Sequence, residues 1–234
     1  MSQIETELYL ISTKELMDNE SMFYNCYNLI TKERRMQIDR FVLKSDKCLS
    51  ISAELLLRYI IKALNLNFEN LQLFNTIHGK PMFLNSNIQF NLSHSGEYAI
   101  CAISSLPVGC DIERIRDISV GMFRRFIHPN EYQMLISESN EEERIDLFFR
   151  IWTIKEAFLK NLGIGISEES FATLEVYKKG NSLSIQQTYN DNIYYLKEYK
   201  LNGYKVSLVS LDKCIRSDMK QIDSMQTIIE TLKK

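Results

Sequence analysis

Two carboxylates one residue apart, Asp111 and Glu113, stand in an otherwise apolar run, VGCDIERIR, at residues 108–116. In an extended strand, side chains two apart share a face, so both acids project one way while Cys110 and Ile112 point to the core. Like charges held side by side repel unless a cation lies between them, and an all-oxygen pair suits Mg²⁺ or Mn²⁺ better than zinc. Mg²⁺ is usually held by one or two protein carboxylates and fills its octahedron with water and substrate phosphate oxygens. A phosphate-bearing substrate is therefore the natural complement. The plainer alternative is the solvated face of an edge strand, since Arg114 and Arg116 follow at once.

Three further stretches carry chemistry. In IWTIKEAFLK, residues 151–160, Glu156 and Lys160 lie four apart and share a helix face, with Trp152 one turn before Glu156. Alone they make an ordinary surface ion pair. Lys155 lies about 100° around the helix from Glu156 and is given a supporting role only. FNLSHSGEYAICA places Ser93 and His94 in the connection between two strands, where polar side chains and backbone N–H groups can face a ligand. His94 has no Cys or His partner at metal-ligand spacing. Lys80, in HGKP, is a cation on a stiffened turn.

The elements that must position these residues follow from periodicity. IETELYLI alternates as a strand, and NLITKERRMQIDRF reads as a helix crowded with Lys32, Arg34 and Arg35. A turn, LKSDK, leads into CLSISAELLLRYIIKAL, whose apolar residues recur at helical spacing and predict a long buried helix opened near Ser50. Two strands, IQFNL and YAICAIS, close the first half. Beyond Pro107 come the strand with the two acids, a short helix SVGMFRRFI, and a break at His128–Pro129, where Pro129 suits a helix start. Ser139 with Glu142 matches a capping box for a long helix that Gly163 and Gly165 stop. Strands follow around FATLEVY, SLSIQQT, IYYLKEY and YKVSLVS, and the tail predicts a surface helix. The pattern gives two α+β units divided near residues 104–107, residues 1–105 and 106–234.

Composition bounds the function. The 234 residues suffice for one large or two small domains, with 45% hydrophobic and 25% charged, as in ordinary globular proteins. A net charge of -2 argues against nucleic acid as the main partner. Five scattered cysteines, never in a CxxC pair, suggest neither disulfides nor a thiolate zinc site, and a reducing cytoplasm fits. No basic n-region precedes an apolar segment at the N-terminus and no run reaches membrane-spanning length, so no membrane association is expected.

Taken in order, GKP, FNLSHS, VGCDIE and WTIKEAFLK over residues 79–160 make the sequence resemble the 4′-phosphopantetheinyl transferases, in the pseudodimeric class of the surfactin-synthetase-activating enzyme. The resemblance spans essentially the whole chain. It implies transfer of the phosphopantetheine arm of coenzyme A to a serine of an apo acyl or peptidyl carrier protein, with release of adenosine 3′,5′-bisphosphate. It implies an α+β fold of two similar subdomains with pseudo-twofold symmetry, each a long helix packed on a small antiparallel sheet, and a site in the cleft between them that one chain completes as a monomer. By resemblance, Asp111, Glu113 and Glu156 hold Mg²⁺, or Mn²⁺, and Lys160 meets the pyrophosphate. Ser93, His94, Lys80 and Arg34 hold the nucleotide end, with Arg35, Lys44 and Lys47 behind Arg34. Ser50 is placed at a helix N-terminus facing phosphate. The proton acceptor is Glu156 or, ranked below it, Glu131. The apolar residues Met122 and Phe123 are expected in the surface that receives the carrier. A noncatalytic coenzyme A or carrier-binding module and, less favoured, an acid-metal phosphodiesterase stand as alternatives.

Overall fold

Alternation in ELYLIS carries the chain into its first strand, β1 (Glu7–Ser12), with both faces buried from Leu8 to Ile11. The computed structural model describes residues 4–84 and 86–234. Three short helices follow, α1 (Lys14–Asp18), α2 (Glu20–Tyr27) and α3 (Lys32–Ile38); Asn19 caps α2 and Thr31 caps α3 through their side-chain oxygens. The long helix α4 (Lys44–Ala63) then lies against the sheet. KSDK is helical, not a turn. Its residues carry only small propensity penalties, and the buried face that follows outweighs them. Ser50 consequently sits in the second turn and not at the helix start.

A hairpin unmarked by any hydrophobic alternation, β2 (Gln72–Asn75) and β3 (Pro81–Leu84), turns through Gly79 at φ 83°. Every residue of β2 is exposed, so the sequence had no buried face to betray it. Strands β4 (Gln89–Ser95) and β5 (Tyr98–Ser104) form a tight hairpin. Ser93 and His94 are thus strand residues, paired with Ile100 and Ala99, and not part of the connection. The polar character of SHS reflects what β4 faces, as shown below.

The second half opens with β6 (Val108–Arg114) and a 3₁₀ turn over Val120–Phe126 in place of the expected short helix. Helix α5 (Pro129–Ile136) has Pro129 at its first position. Helix α6 (Glu141–Leu162) is capped by Asn140, whose side chain accepts the Glu143 N–H, rather than by the expected Ser139–Glu142 box. Asparagine one residue later satisfies the same orphan amides, and Ser139 instead donates to the Glu143 carboxylate. Gly163 ends α6 at φ 70°. Then come α7 (Glu168–Ala172), the hairpin β7 (Glu175–Lys179) and β8 (Ser182–Gln186), and strands β9 (Tyr195–Leu201) and β10 (Tyr204–Ser210).

The two sheets share one plan. The first half runs strand, long helix, small hairpin, large hairpin, with sheet order β1–β5–β4; the second repeats it with order β6–β10–β9, antiparallel throughout. Two similar α+β subdomains result, although no sequence repeat shows them. Period-two alternation in β1 sends Tyr9 and Ile11 toward α4 and Leu8 and Leu10 toward the second sheet, where they meet Cys110, Ile112 and Leu208. Each side chain fully buried in this layer contributes about 1.5–3 kcal/mol. Outside it, α6 covers the other face of β6 and β10.

The tail departs from the expected division. A short strand, β11 (Lys220–Gln221), pairs parallel to β1, and α8 (Met225–Lys233) packs on α4 with Met225, Ile228 and Ile229 buried. Residues spaced three and four apart give α8 one apolar stripe, so the expected surface helix joins the core of the first half.

Candidate active site

Gly109 decides how closely α6 approaches β6. A Cβ there would lie 2.1 Å from the Ala157 carbonyl oxygen and 2.4 Å from the Asn161 amide nitrogen. The absence of a side chain lets the helix backbone rest on the strand, and residues 109, 111 and 113 share that face. Glu156 and Lys160, one turn apart, therefore stand directly over Asp111 and Glu113. One oxygen each from Asp111, Glu113 and Glu156 lie within 4.8 Å of one another.

Hydrogen bonds tie this cluster to both halves. Asp111, 1% exposed, accepts through Oδ1 from Lys160 Nζ at 2.5 Å and from Ser93 Oγ at 2.7 Å. Glu156 accepts from Trp152 Nε1 at 2.9 Å and pairs with Lys160 at 3.1 Å. Ser95 donates to Glu113 at 2.9 Å. Along β4, Asn91, Ser93 and Ser95 reach β6 in succession, for Asn91 Oδ1 accepts the Cys110 N–H at 2.9 Å. The polar side of β4 is a ladder of side-chain bonds that joins the subdomains.

Three carboxylates face one ammonium, so the cluster carries excess negative charge. Burial pushes Asp111 up to about 7 against the pull of Lys160, with the Glu156 charge adding to the rise. Glu113 is raised as well, by burial and by Glu156. Burial alone would lower Lys160, but the Asp111 and Glu156 carboxylates hold it raised. The Asp111 Oδ2 atom is buried without a hydrogen-bond partner among the described residues. An all-oxygen triad with one orphaned lone-pair donor fits a hard divalent cation.

The triad lines a cleft of about 690 Å³ whose walls come from both halves. Its walls include Arg34, Glu54, Leu73, Phe74, Ser93 and His94. Arg34 spans Gln37, Ser50 and Glu54, its Nη2 donating to Ser50 Oγ at 2.9 Å. Ser50 thus meets Arg34 rather than offering a helix N-terminus. His94 is open to the cleft yet crowded by its walls, and that desolvation, with the Lys160 and Arg34 charges, lowers its pKa.

Glu131 and Lys80 point elsewhere, as do Arg35, over the Tyr27 ring, and Lys44, on the Met17 carbonyl. Glu131 is fully buried: one oxygen accepts the Val176 N–H at 2.7 Å, and the other accepts the His128 N–H at 2.9 Å and pairs with Lys155 at 2.7 Å. Both oxygens are committed away from the cleft, the first-turn cap of α5 having drawn the acid inward. Lys80 Nζ donates to the Val108 and Asn161 carbonyls at 3.2 and 3.1 Å, and burial lowers its ammonium to about 8. It clasps the small hairpin to the C-terminal turn of α6 instead of facing the cleft. Conversely, Gly109, Asn91, Ser95, Leu73 and Phe74 went unnoticed in the sequence. Asn91 and Ser95 alone had a signal, the polar alternation Asn91–Ser93–Ser95.

Comparison with known proteins gives the family. Residues 107–209 match the family model described as the 4′-phosphopantetheinyl transferase superfamily, and residues 17–106 that described as 4′-phosphopantetheinyl transferase, N-terminal. The chain is 36% identical over 193 residues to 4′-phosphopantetheinyl transferase gsp of Aneurinibacillus migulanus, covering 78% of this chain and 76% of that protein. It is 31% identical over 186 residues to 4′-phosphopantetheinyl transferase Sfp of Bacillus subtilis (strain 168), covering 77% and 82%. To the human L-aminoadipate-semialdehyde dehydrogenase-phosphopantetheinyl transferase it is 29% identical over 182 residues, covering 71% and 59%.

Proposed function

Because the chain belongs to the 4′-phosphopantetheinyl transferase superfamily, we propose that it moves the phosphopantetheine arm of coenzyme A onto a serine hydroxyl of an apo acyl or peptidyl carrier protein, releasing adenosine 3′,5′-bisphosphate. The observation that carries this reading is the triad of Asp111, Glu113 and Glu156 in a cleft walled also by Arg34 and His94. The triad would hold Mg²⁺ or Mn²⁺, which when bound supplies a Lewis acid that offsets charge on the breaking pyrophosphate bond.

The chain's own residues do the rest. Lys160 offsets part of the charge of Asp111 and Glu156 and presents a fixed cation where the leaving phosphate gains charge. Arg34 and His94, in the cleft wall, receive the 3′-phosphoadenosine end; Ser93 acts through Asp111 and Lys160. Glu156, oriented by the Trp152 indole, takes the carrier serine's proton, since Glu131 is sealed away. The 3₁₀ turn beside Trp152 offers the carrier an apolar contact: Met122 is 77% exposed, while Phe123 packs inward on Phe148 and Trp152.

One chain contributes every group named, which suits a monomer of two subdomains, residues 1–105 and 106–234, with the tail docked back on the first. No helix among the described residues is long and apolar enough to cross a membrane. Five free thiols, four of them buried, suit a cytoplasmic setting, and the net charge of -2 gives nucleic acid no footprint. Release of adenosine 3′,5′-bisphosphate in step with apo carrier consumed, abolished by EDTA, tests the reading; release without carrier would point to a phosphodiesterase instead.

A further inference from the structure

Glu113 differs from its two partners in what holds it. Asp111 has Lys160 and Ser93, and Glu156 has Trp152 and Lys160. Among the described residues, the hydroxyl of Ser95 is the one hydrogen-bond or ion-pair partner of the Glu113 side chain, Oγ to Oε2 at 2.9 Å. Ser95 Oγ also accepts the Arg114 backbone N–H at 3.1 Å. A serine has one proton to give, so with proton and lone pair both engaged its rotor is set and Glu113 meets a donor of fixed direction.

Ser95 is itself held in place from the second half. The turn that follows it presses on β10, where the Glu97 N–H donates to Tyr204 Oη at 3.1 Å. Gly96 takes φ 58°, and a Cβ on it would lie 2.4 Å from that same oxygen. Glycine at the first position of the turn takes this φ without strain and leaves room for the tyrosine hydroxyl.

We infer that Ser95 is a positioning residue for the carboxylate triad. It reaches across from the first subdomain to orient a ligand of the second, so the triad takes its cation-ready shape only when β4 is docked on β6. This rests on the metal reading of the triad. Hydrogen-bonded partners of ligating carboxylates fix their orientation, and losing one typically weakens metal binding by about 10–100-fold.

Mn²⁺ titration followed by electron paramagnetic resonance, on the whole protein without substrate, tests it. The set is wild type, Ser95→Ala, Ser95→Thr, Glu113→Gln, and Ser95→Ala combined with Glu113→Gln. Ser95→Ala is expected to weaken Mn²⁺ binding about tenfold. Ser95→Thr should restore it, and the alanine should have no further effect where Glu113 is already glutamine. Unchanged affinity in Ser95→Ala beside a binding wild type would overturn the role of Ser95 alone, as would an undiminished loss in the glutamine background or no rescue by threonine. A wild-type protein that binds no Mn²⁺ would overturn the metal reading and this inference together.

Discussion

Lys155 and Glu131 form an ion pair at 2.7 Å in which neither side chain reaches solvent, at 1% and 0% exposure. Lys155 is next to Glu156 in sequence, yet about 100° around the helix from it, and the pair faces the Phe126 carbonyl, at 3.4 Å from the ammonium, and the start of β7. Breaking such a pair leaves an uncompensated buried charge. Either Lys155→Met or Glu131→Gln should therefore lower unfolding stability by about 3–5 kcal/mol, with activity per folded molecule kept within a few-fold. Urea denaturation beside kcat checks this. Loss of kcat by two or more orders of magnitude at unchanged stability in Glu131→Gln would return Glu131 to the role of base.

Asp111 gives the metal-free protein a distinctive pH dependence. Its pKa rises from an ordinary 3.8 to about 7 in the folded chain, chiefly through burial. Between those values the native state binds a proton that the unfolded state does not, so this group's contribution to stability falls as pH rises through that window. A cation competes with that proton. The rise in Tm on adding Mg²⁺ should accordingly be small at pH about 5.5 and grow through neutrality, with half of the change near pH 7; thermal unfolding across that range reads it. A shift independent of pH would sever the cation from Asp111.

Gly109→Ala places a methyl group against backbone of α6, which cannot swing aside as a side chain would. The helix must lift from β6, carrying Glu156 and Lys160 away from Asp111. Stability should drop by about 1–3 kcal/mol. Mn²⁺ affinity and kcat should fall together while the KM for coenzyme A changes less. Isothermal titration and steady-state kinetics on the folded variant separate these outcomes.

Lys80→Met removes the clasp between the small hairpin and α6 and leaves the Val108 and Asn161 carbonyls unpaired. A loss of about 1–3 kcal/mol in stability is expected. Since the ammonium does not face the cleft, the dependence of the coenzyme A KM on salt should match wild type. A flattened salt dependence would place Lys80 on a substrate phosphate.

Much of the site was legible because its residues follow local periods. Asp111 and Glu113 share a face by the two-residue repeat of a strand, and Glu156 and Lys160 by the turn of a helix, so their types and spacing sufficed. The strands of the two main sheets were legible in the same way, apart from the two-residue β11; the separate β2–β3 hairpin was not, because β2 buries nothing and so leaves no alternation. What escaped depends on distant contacts. Ser93 and Ser95 read as loop residues because their polar side chains face β6, a strand that the chain reaches only after another hairpin. Glu131 stood as a candidate base by resemblance alone; that Lys155 and two backbone amides enclose it is a fact of tertiary packing. The return of α8 to α4 is of the same kind.

The most direct test of the central claim is the intact mass of an apo carrier protein after incubation with the chain, coenzyme A and Mg²⁺, beside Asp111→Ala and an EDTA control. The expected result is a gain of one phosphopantetheine arm, lost in both controls. No gain on carriers from fatty-acid, polyketide and peptide assembly, with coenzyme A measurably bound, would contradict it and leave a noncatalytic binding module.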